Sequence, residues 1–321
     1  MKKRALQLII CILVFAAVCL LADLALYPCT YMRNDIRTVT AAYHDVIFLG
    51  TSDGKMGIDP DAVLAGRDRT GHNLCNGGEF PIDSYHLLRL LIEKQKPQTV
   101  VFEVNPVVFV TEKEQGNNYL LFYHEFPLSA SKLAYAKDIL LRADFRAALF
   151  PFYEYPLSTT LPRMGDTLSR KLSADYSLEP LRGTTGDYRA NGFLARYQQD
   201  PKTFAAPDRF SFTQDTIVPA HIDYLYRVID LCREEGIELI AVTMPQADET
   251  LSAMSGDFVD AYAYFEALFA DAGVPYYNFN TEYYAVAPHD AASFVDYNGH
   301  LNEEAAGSFS RILGNVLFGL P

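Results

Sequence analysis

Ser52 lies where a nucleophilic side chain is expected in an α/β protein. The apolar run from Asp45 to Leu49 ends in the small residues Gly50 and Thr51, and Ser52 follows them. An unbroken apolar run of this length predicts a strand that is buried on both faces, and ligands bind beyond the carboxyl ends of such strands. A serine hydroxyl becomes a nucleophile only when a base removes its proton. The interpretation therefore requires a histidine that reaches Ser52.

His300 is the best candidate among the seven histidines. It precedes a predicted C-terminal helix, in a loop that can return to the strand ends, and Asp296 lies four residues before it. An aspartate at this distance can hold the imidazole in the tautomer that accepts a proton. The pair His289 and Asp290 is a second, less well-placed candidate. Taken singly, a Gly-Thr-Ser turn or a histidine beside a helix is more often structural, but the joint pattern favours catalysis.

Strand and helix patterns alternate along most of the chain. Further apolar runs occur at Thr99 to Val104, at Ile237 to Thr243 and around Val274 to Phe279. Helical patterns are predicted from Pro81 to before Pro97, from about Ala220 to Glu235, from Asp257 to Ala272 and after Asn302. This alternation predicts a doubly wound, three-layer α/β fold with a parallel sheet.

The N-terminus predicts a membrane anchor. Lys2, Lys3 and Arg4 precede an apolar stretch from Ala5 to Tyr27, which is long enough to span a bilayer as a helix. Because basic residues favour the cytoplasmic side, the chain after this helix is expected outside the cytoplasm. A cleaved signal peptide shares these features, although the residues around Ala22 to Ala25 are poorly suited to cleavage.

Three parts of the chain follow from these patterns. Residues 1–28 form the basic start and the anchor, residues 29–44 a linker, and residues 45–321 the extracytoplasmic domain. An insertion at about 111–219 interrupts that domain and is expected to be helical from Ser129 to Leu149 and irregular afterwards. It is predicted either to cover the site or lie on the membrane surface, or simply to pack against the core.

Composition excludes several classes of protein. With 50% hydrophobic residues the chain is not disordered, and its net charge of −13, with no basic tract, argues against a nucleic-acid ligand. None of the 5 cysteines forms a C-x-x-C pair, so neither a metal site nor a cofactor is expected.

Four segments together resemble the SGNH/GDSL hydrolase superfamily, in particular its membrane-anchored cell-envelope branch of DltD-like and alginate acetylation proteins. These segments are IFLGTSDGKMGIDP at 47–60, NLCNGGEFPIDSYHLL at 73–88, VVFEVNP at 100–106 and FVDYNGHLNEEAAGSFS at 294–310. The resemblance implies a flavodoxin-like fold and serine chemistry on acyl groups. It makes Ser52 the nucleophile, His300 the base and Asp296 its orienting partner. It also assigns oxyanion stabilisation to the backbone N–H of Ser52, to Gly78 (with Gly77 next) and to Asn105.

The expected function is that of a membrane-anchored esterase or O-acyltransferase. Its partners would be the cell membrane and an acylated glycan or related envelope polymer, with a membrane-bound acyl donor as a candidate. The alternative is a non-catalytic scaffold of the same fold. Two departures from the family pattern support it. The interval between Asp296 and His300 is one residue longer than D-x-x-H, and Asn105 occurs earlier in segment 100–106 than the asparagine of the family.

Overall fold

A five-stranded parallel sheet forms the centre of the fold. The computed structural model describes residues 2–27, 29–113, 120–140, 146, 160–173 and 185–320. The sheet has the strand order β2-β1-β3-β6-β7. Its strands are β1 (Val46–Leu49), β2 (Gly71–Asn73), β3 (Thr99–Glu103), β6 (Glu238–Thr243) and β7 (Tyr276–Asn278), and a separate antiparallel hairpin joins β4 (Gly186–Tyr188) to β5 (Leu194–Arg196). The mixed α/β class and the parallel sheet are confirmed.

Helices occur in the segments that precede, connect and follow these strands. They are α1 (Lys2–Leu26), α2 (Tyr31–Ala41), α3 (Ser52–Gly57), α4 (Pro60–Val63), α5 (Pro81–Lys94), α6 (Pro106–Phe109), α7 (Leu121–Glu125), α8 (Ala130–Leu140), α9 (Met164–Leu172), α10 (Pro219–Glu235), α11 (Asp248–Ala253), α12 (Ser255–Ala272) and α13 (Glu303–Phe318). Proline at the first turn opens α5 and α10, and the left-handed glycines Gly236 and Gly273 end α10 and α12. The four predicted helices are therefore confirmed.

Both faces of the sheet are buried, as the unbroken apolar strands predict. In β1, Val46 and Phe48 belong to the same core cluster as Phe309 and Leu313 of α13. The intervening Ile47, which points to the opposite face, is also fully buried. On both sides of the central strands, apolar packing thus fixes the strand ends from which the candidate site residues project.

A buried ion pair holds helix α3, which begins with Ser52, in place. The Lys55 Nζ of α3 lies 2.8 Å from Asp35 Oδ2 of α2, and both side chains are fully inaccessible to solvent. His72 Nε2 lies 2.8 Å from the other Asp35 oxygen, which also accepts a hydrogen bond from the Tyr188 hydroxyl. Burial alone would raise the pKa of Asp35, but the charge of Lys55 and the contacts with His72 lower it. The carboxylate therefore stays ionised inside the protein.

The chain divides into two compact units: residues 1–33 with 114–179, and residues 34–113 with 180–321. The first unit contains α1, whose segment Lys3–Leu26 is long and apolar enough to cross a membrane, with a mean hydropathy of 2.9 and an apolar window that is not buried in the protein. In the same unit Lys171 of α9 donates to the carbonyls of Asp23 and Leu24.

The region between the anchor and the sheet differs from the expected linker. Residues 29–44 contain helix α2, whose Ile36 and Val39 are buried. The segment predicted as one insertion at about 111–219 is shared between the two units, because its end contributes the β4–β5 hairpin to the second. Of the helix predicted from Ser129 to Leu149, α8 covers Ala130–Leu140, and most of the remainder lies outside the described residues.

Candidate active site

Ser52 is the first residue of α3, just beyond the carboxyl end of β1. The turn depends on Gly50, which has φ +143° and lies so close to β3 that a Cβ atom there would be 2.6 Å from the side chain of Glu103. The Thr51 hydroxyl caps the helix by accepting a hydrogen bond from the Asp53 amide at 3.3 Å. These features expose the Ser52 hydroxyl at the edge of the sheet.

Ser52, His300 and Asp296 form a continuous hydrogen-bond chain. His300 Nε2 lies 2.8 Å from Ser52 Oγ, and His300 Nδ1 lies 2.7 Å from Asp296 Oδ2. With the proton on Nδ1, the imidazole donates to the carboxylate and accepts the serine proton at Nε2. The structure thus brings together two segments that are 248 residues apart in the sequence.

The loop that carries the histidine is closed like a small hairpin. Phe294 and Leu301 form an antiparallel bridge, and the Val295 amide donates to the His300 carbonyl at 2.9 Å. Gly299, with φ +91°, provides the bend, and a Cβ atom there would lie 2.5 Å from Asp53 Oδ2. The turn accommodates three residues between Asp296 and His300, which explains how the longer interval still yields a direct hydrogen bond.

The charges around the hydrogen-bond chain favour proton acceptance by His300. Burial disfavours the imidazolium, but the hydrogen bond to Asp296 and the negative charges of Asp53 and Asp296 outweigh burial and raise the pKa of His300. Burial acts to raise the pKa of Asp296, yet its hydrogen bond to His300 and the charge of that residue lower it below its ordinary value. An imidazolium formed during reaction would therefore be stabilised by an ionised partner.

A second carboxylate lies beside the histidine. Asp53 is 2% exposed, and its Oδ1 lies 3.8 Å from His300 Nε2. Burial raises the pKa of Asp53 to about 6, against the lowering effect of His300. Glu103, equally buried, accepts a hydrogen bond from the Thr51 amide at 2.6 Å, and burial followed by the charge of Asp53 raises its pKa to about 8. Burial and the proximity of these two carboxyl groups therefore oppose ionisation of both at once.

Asp53 also orients two side-chain amides. Its Oδ2 accepts hydrogen bonds from Asn105 Nδ2 at 3.1 Å and from Gln246 Nε2 at 3.0 Å. Each amide nitrogen carries two hydrogens, so each side chain keeps a second N–H that Asp53 does not use. The Asn105 Oδ1 accepts from the Val107 amide at 3.0 Å and so caps the short helix α6. Asn105 thus has the capping role common for its residue type and lies in the site as well.

Gly77 and Gly78, the two glycines of segment 73–88, occupy different positions. A Cβ atom built on Gly77 would lie 3.8 Å from Ser52 Cβ, so this backbone passes alongside the serine. Gly78 is exposed in a turn with φ +75°. The structure thus places the backbone of Gly77 beside Ser52, and the expected oxyanion role of Gly78 stays a prediction. The preceding Asn76 is fully buried, and its side-chain amide has no hydrogen-bond partner among the described residues.

The alternative histidine has a different environment. His289 stacks on Tyr284 with ring centroids 3.9 Å apart, and its Nδ1 lies 2.8 Å from the Gln246 carbonyl oxygen. Asp290 accepts a hydrogen bond from Ser293. His289 thus supports the backbone of the segment that carries Gln246, whereas His300 contacts Ser52.

Sequence reasoning missed three polar side chains of the site: Asp53, Glu103 and Gln246. Asp53 is adjacent to Ser52, Glu103 is the last residue of β3, and Gln246 follows the end of β6 by three residues. The carboxyl ends of neighbouring parallel strands lie at one edge of the sheet. That rule was the available signal, because it brings polar residues after β1, β3 and β6 together.

The charge of Asp53 leads to a prediction about pH dependence. Any reaction that requires His300 to accept the serine proton should slow as the pH is lowered through the raised pKa of His300, because the imidazolium cannot accept a proton. Asp53→Asn removes a negative charge 3.8 Å from Nε2 and should move this acid limb about one pH unit lower. The measurement is a pH profile of p-nitrophenyl ester cleavage by the full-length protein.

The control for this profile is Asp290→Asn, which removes an exposed carboxylate outside the hydrogen-bond chain. Its acid limb should coincide with that of the unchanged protein. An acid limb that stays in place in Asp53→Asn would show that the carboxylate does not act on His300.

A cavity of about 270 Å³ opens beside the hydrogen-bond chain. Its polar wall includes Ser52, Asp53, Asn105, Gln246 and His300. All of these residues belong to the second compact unit. The serine hydroxyl, the histidine and the amide donors therefore face one space that a ligand can enter.

Comparison with models of known protein families finds no matching family, and comparison with curated proteins finds no matching sequence. Chemical interpretation of the site therefore depends on its residues and their geometry.

Proposed function

We propose that the protein is a membrane-anchored serine esterase or O-acyltransferase of the SGNH type, acting outside the cytoplasm on an acylated glycan or related envelope polymer. The observation that carries this proposal is the chain from Ser52 Oγ through His300 to Asp296, with distances of 2.8 and 2.7 Å. A serine, a histidine and a carboxylate in this order are the parts that acyl transfer through a covalent serine ester requires.

The proposed reaction has two halves. The Ser52 oxygen bonds to the carbonyl carbon of an ester while its proton passes to His300 Nε2. The bond from that carbon to the leaving alcohol then breaks, and His300 returns the proton to the leaving oxygen. In the second half, water or a sugar hydroxyl loses its proton to His300 while its oxygen bonds to the carbonyl carbon of the Ser52 ester. The bond from that carbon to Ser52 Oγ then breaks, His300 returns the proton to Oγ, and the acyl group leaves as the free acid or as the new sugar ester.

Negative charge on the carbonyl oxygen needs hydrogen-bond donors in both halves of this reaction. The backbone amide of Ser52, the backbone of Gly77 and the second N–H of Asn105 are the proposed donors. Asp53 supports this role because it fixes the orientation of the Asn105 amide at 3.1 Å. It also supports His300 when that residue becomes positively charged.

The strand order adds support for the flavodoxin-like assignment. Counted within the sheet alone, the five parallel strands follow the order 2-1-3-4-5, which is the order of flavodoxin-like folds. In these folds ligands bind at the carboxyl ends of the strands, where Ser52 and Asn105 occur. This argument concerns the fold, and the activity depends on the side chains.

The proposed location follows from the N-terminal helix. Lys2, Lys3 and Arg4 precede its apolar part, and this bias favours a cytoplasmic N-terminus with the site on the other side of the membrane. The net charge of −13 disfavours a strongly anionic polymer as the acceptor. A neutral glycan or another weakly charged envelope polymer is therefore the proposed substrate.

The experiment is labelling of the full-length, detergent-solubilised protein with a fluorophosphonate probe, read by intact mass. We expect one adduct on the unchanged protein and none on Ser52→Ala, because only a serine beside a base reacts with such a probe. Ser308→Ala, which removes an exposed serine of α13, is the matched control and should label normally.

The second candidate is a non-catalytic scaffold with the same fold. The observation in its favour is that the Asn105 side chain already makes two structural hydrogen bonds. Its Oδ1 accepts from the Val107 amide, and its Nδ2 donates to Asp53. If the folded protein does not label, or if Ser52→Ala labels as well as the unchanged protein, the enzyme proposal fails and the scaffold is preferred.

A further inference from the structure

The cavity beside Ser52 has an apolar wall that the proposed reaction does not by itself require. Met254, Phe258 and Tyr262 form a small cluster of their own with Phe210 packed against it, and all four line the cavity. The three residues of the 254–262 segment are spaced four apart, which places them on one face of the chain around α12. Each of these three is no more than 6% exposed.

The aromatic side chains of this wall are held firmly against one another. Phe210 and Phe258 pack edge to face with ring centroids 5.0 Å apart, and Phe258 and Tyr262 stack at 5.5 Å. Val104, Val107 and Met244 also line the cavity. Side chains that support one another in this way form a surface against which an apolar ligand gains burial at little cost in ordering.

The polar groups near this wall leave little hydrogen-bonding capacity for a sugar ring. Asp208 and Asn298 bond to each other at 3.1 Å, and the Thr250 hydroxyl donates to the Tyr297 carbonyl at 2.8 Å. The Tyr262 hydroxyl is buried and has no hydrogen-bond partner among the described residues. The aromatic wall itself thus offers a sugar one unpartnered polar group, the Tyr262 hydroxyl, which disfavours a sugar ring laid on that wall. The other free hydrogen-bonding capacity of the cavity lies on Glu103, Asn105 and Gln246.

Charge restricts the ligand further. Asp53, Glu103 and Asp208 line the cavity, and no lysine or arginine among the described residues does so. A carboxylate on the ligand would meet the carboxyl groups of Asp53, Glu103 and Asp208, and His300, which can carry positive charge there, must be neutral to accept the serine proton. The cavity therefore selects against an anionic group.

We propose that this cavity binds the acyl group of the substrate, and that this group is uncharged, apolar and longer than acetyl. The inference rests on the proposed function, because the carbonyl carbon must bond to Ser52 Oγ while the chain lies against Phe258 and its neighbours. The alcohol part of the ester, glycan or other, then leaves through the open side. The aromatic wall is thus a determinant of acyl specificity.

The test is a chain-length series of p-nitrophenyl acetate, butyrate and hexanoate, with full-length protein in nanodiscs. Release of nitrophenolate reports formation of the Ser52 ester, which hydrolysis and transfer share. Each buried methylene contributes about fourfold in binding, so kcat/KM should rise about tenfold from acetate to butyrate and should be higher still for hexanoate. The hemisuccinate ester, comparable in length to butyrate but anionic, should react at least about tenfold more slowly than butyrate, as expected for an unpaired charge in an apolar site.

Variants separate the wall from the catalytic groups. Phe258→Ala should lower kcat/KM for hexanoate about tenfold, because the chain loses apolar contact, and leave acetate within about twofold. Acetate cleavage thus shows that this variant folds. Val259→Ala, which alters the neighbouring residue that is 65% exposed, is the matched control and should keep the original chain-length profile.

The outcomes distinguish this inference from the proposed function. Ser52-dependent cleavage in which acetate is as good as hexanoate, or in which hemisuccinate equals butyrate, overturns the acyl-chain proposal and leaves the serine chemistry standing. A preference for hexanoate that persists in Phe258→Ala also overturns it. Absence of any Ser52-dependent cleavage overturns the proposed function and this inference with it.

Discussion

Replacing Ser52 or His300 by alanine is expected to lower kcat/KM for ester cleavage on the order of 10⁴-fold or more, because nucleophile and base act as one unit. The same reasoning predicts that the Ser52→Ala/His300→Ala double variant loses little more activity than either single variant. Asp296→Asn should cost a comparable factor, since the amide no longer favours the tautomer with a free Nε2. The measurement is steady-state cleavage of the best p-nitrophenyl ester.

Two results would contradict this expectation. If the losses of the single variants multiply in the double variant, Ser52 and His300 act independently despite the 2.8 Å contact. If His289→Ala, which changes the histidine that stacks on Tyr284, costs as much as His300→Ala, the base is not identified by its hydrogen bond to Ser52. Circular dichroism of each variant separates loss of chemistry from loss of structure.

Asp35→Ala is expected to lower the free energy of unfolding by about 3–5 kcal/mol, because it leaves the Lys55 ammonium buried without its carboxylate. His72 and Tyr188 would lose the same acceptor. Because the folded-state pKa of Asp35 is lowered, this contribution is present at neutral pH and is lost as the pH falls through that lowered pKa. Denaturant or thermal unfolding of the full-length protein in detergent measures it.

A surface ion pair of the same unit provides the control. Arg233 and Asp230 lie 2.7 Å apart on α10 with both side chains 59% exposed, so Asp230→Ala should cost less than about 1 kcal/mol. Replacing the buried pair by apolar residues, as Asp35→Leu with Lys55→Met, should recover much of the loss. Equal losses for Asp35→Ala and Asp230→Ala would mean that the buried pair does not stabilise α3.

Periodicity and end signals made much of the fold predictable from the sequence. The apolar runs in β1, β3 and β6 are continuous because both sheet faces are covered, and proline and glycine mark the ends of α5, α10 and α12. Strand β2 was missed because its Gly-His-Asn sequence has neither apolar character nor β propensity. Its place in the sheet comes from pairing with β1, a tertiary contact. Helix α2 was missed although Met32, Ile36 and Val39 are all buried and recur at i, i+4 and i+7, the spacing of one helix face.

The geometry of the hydrogen-bond chain was predictable, whereas its surroundings were not. A serine after the first strand and a histidine before the last helix meet because both lie at the carboxyl edge of one parallel sheet. The roles of Asp53 and Glu103 depend on burial, which raises the pKa of each carboxyl group. Whether an aspartate or glutamate is buried cannot be read from its residue type. Gly77 and Gly78 are chemically identical, so only backbone coordinates distinguish them.

Helix α3 contains both Ser52 and Lys55 within six residues. Any opening of this segment that displaces the ammonium group from Asp35 also moves the nucleophile away from its base. Heat inactivation should therefore coincide with loss of this buried contact. The protein would pass from active to inactive in one cooperative step, without a folded intermediate of reduced activity.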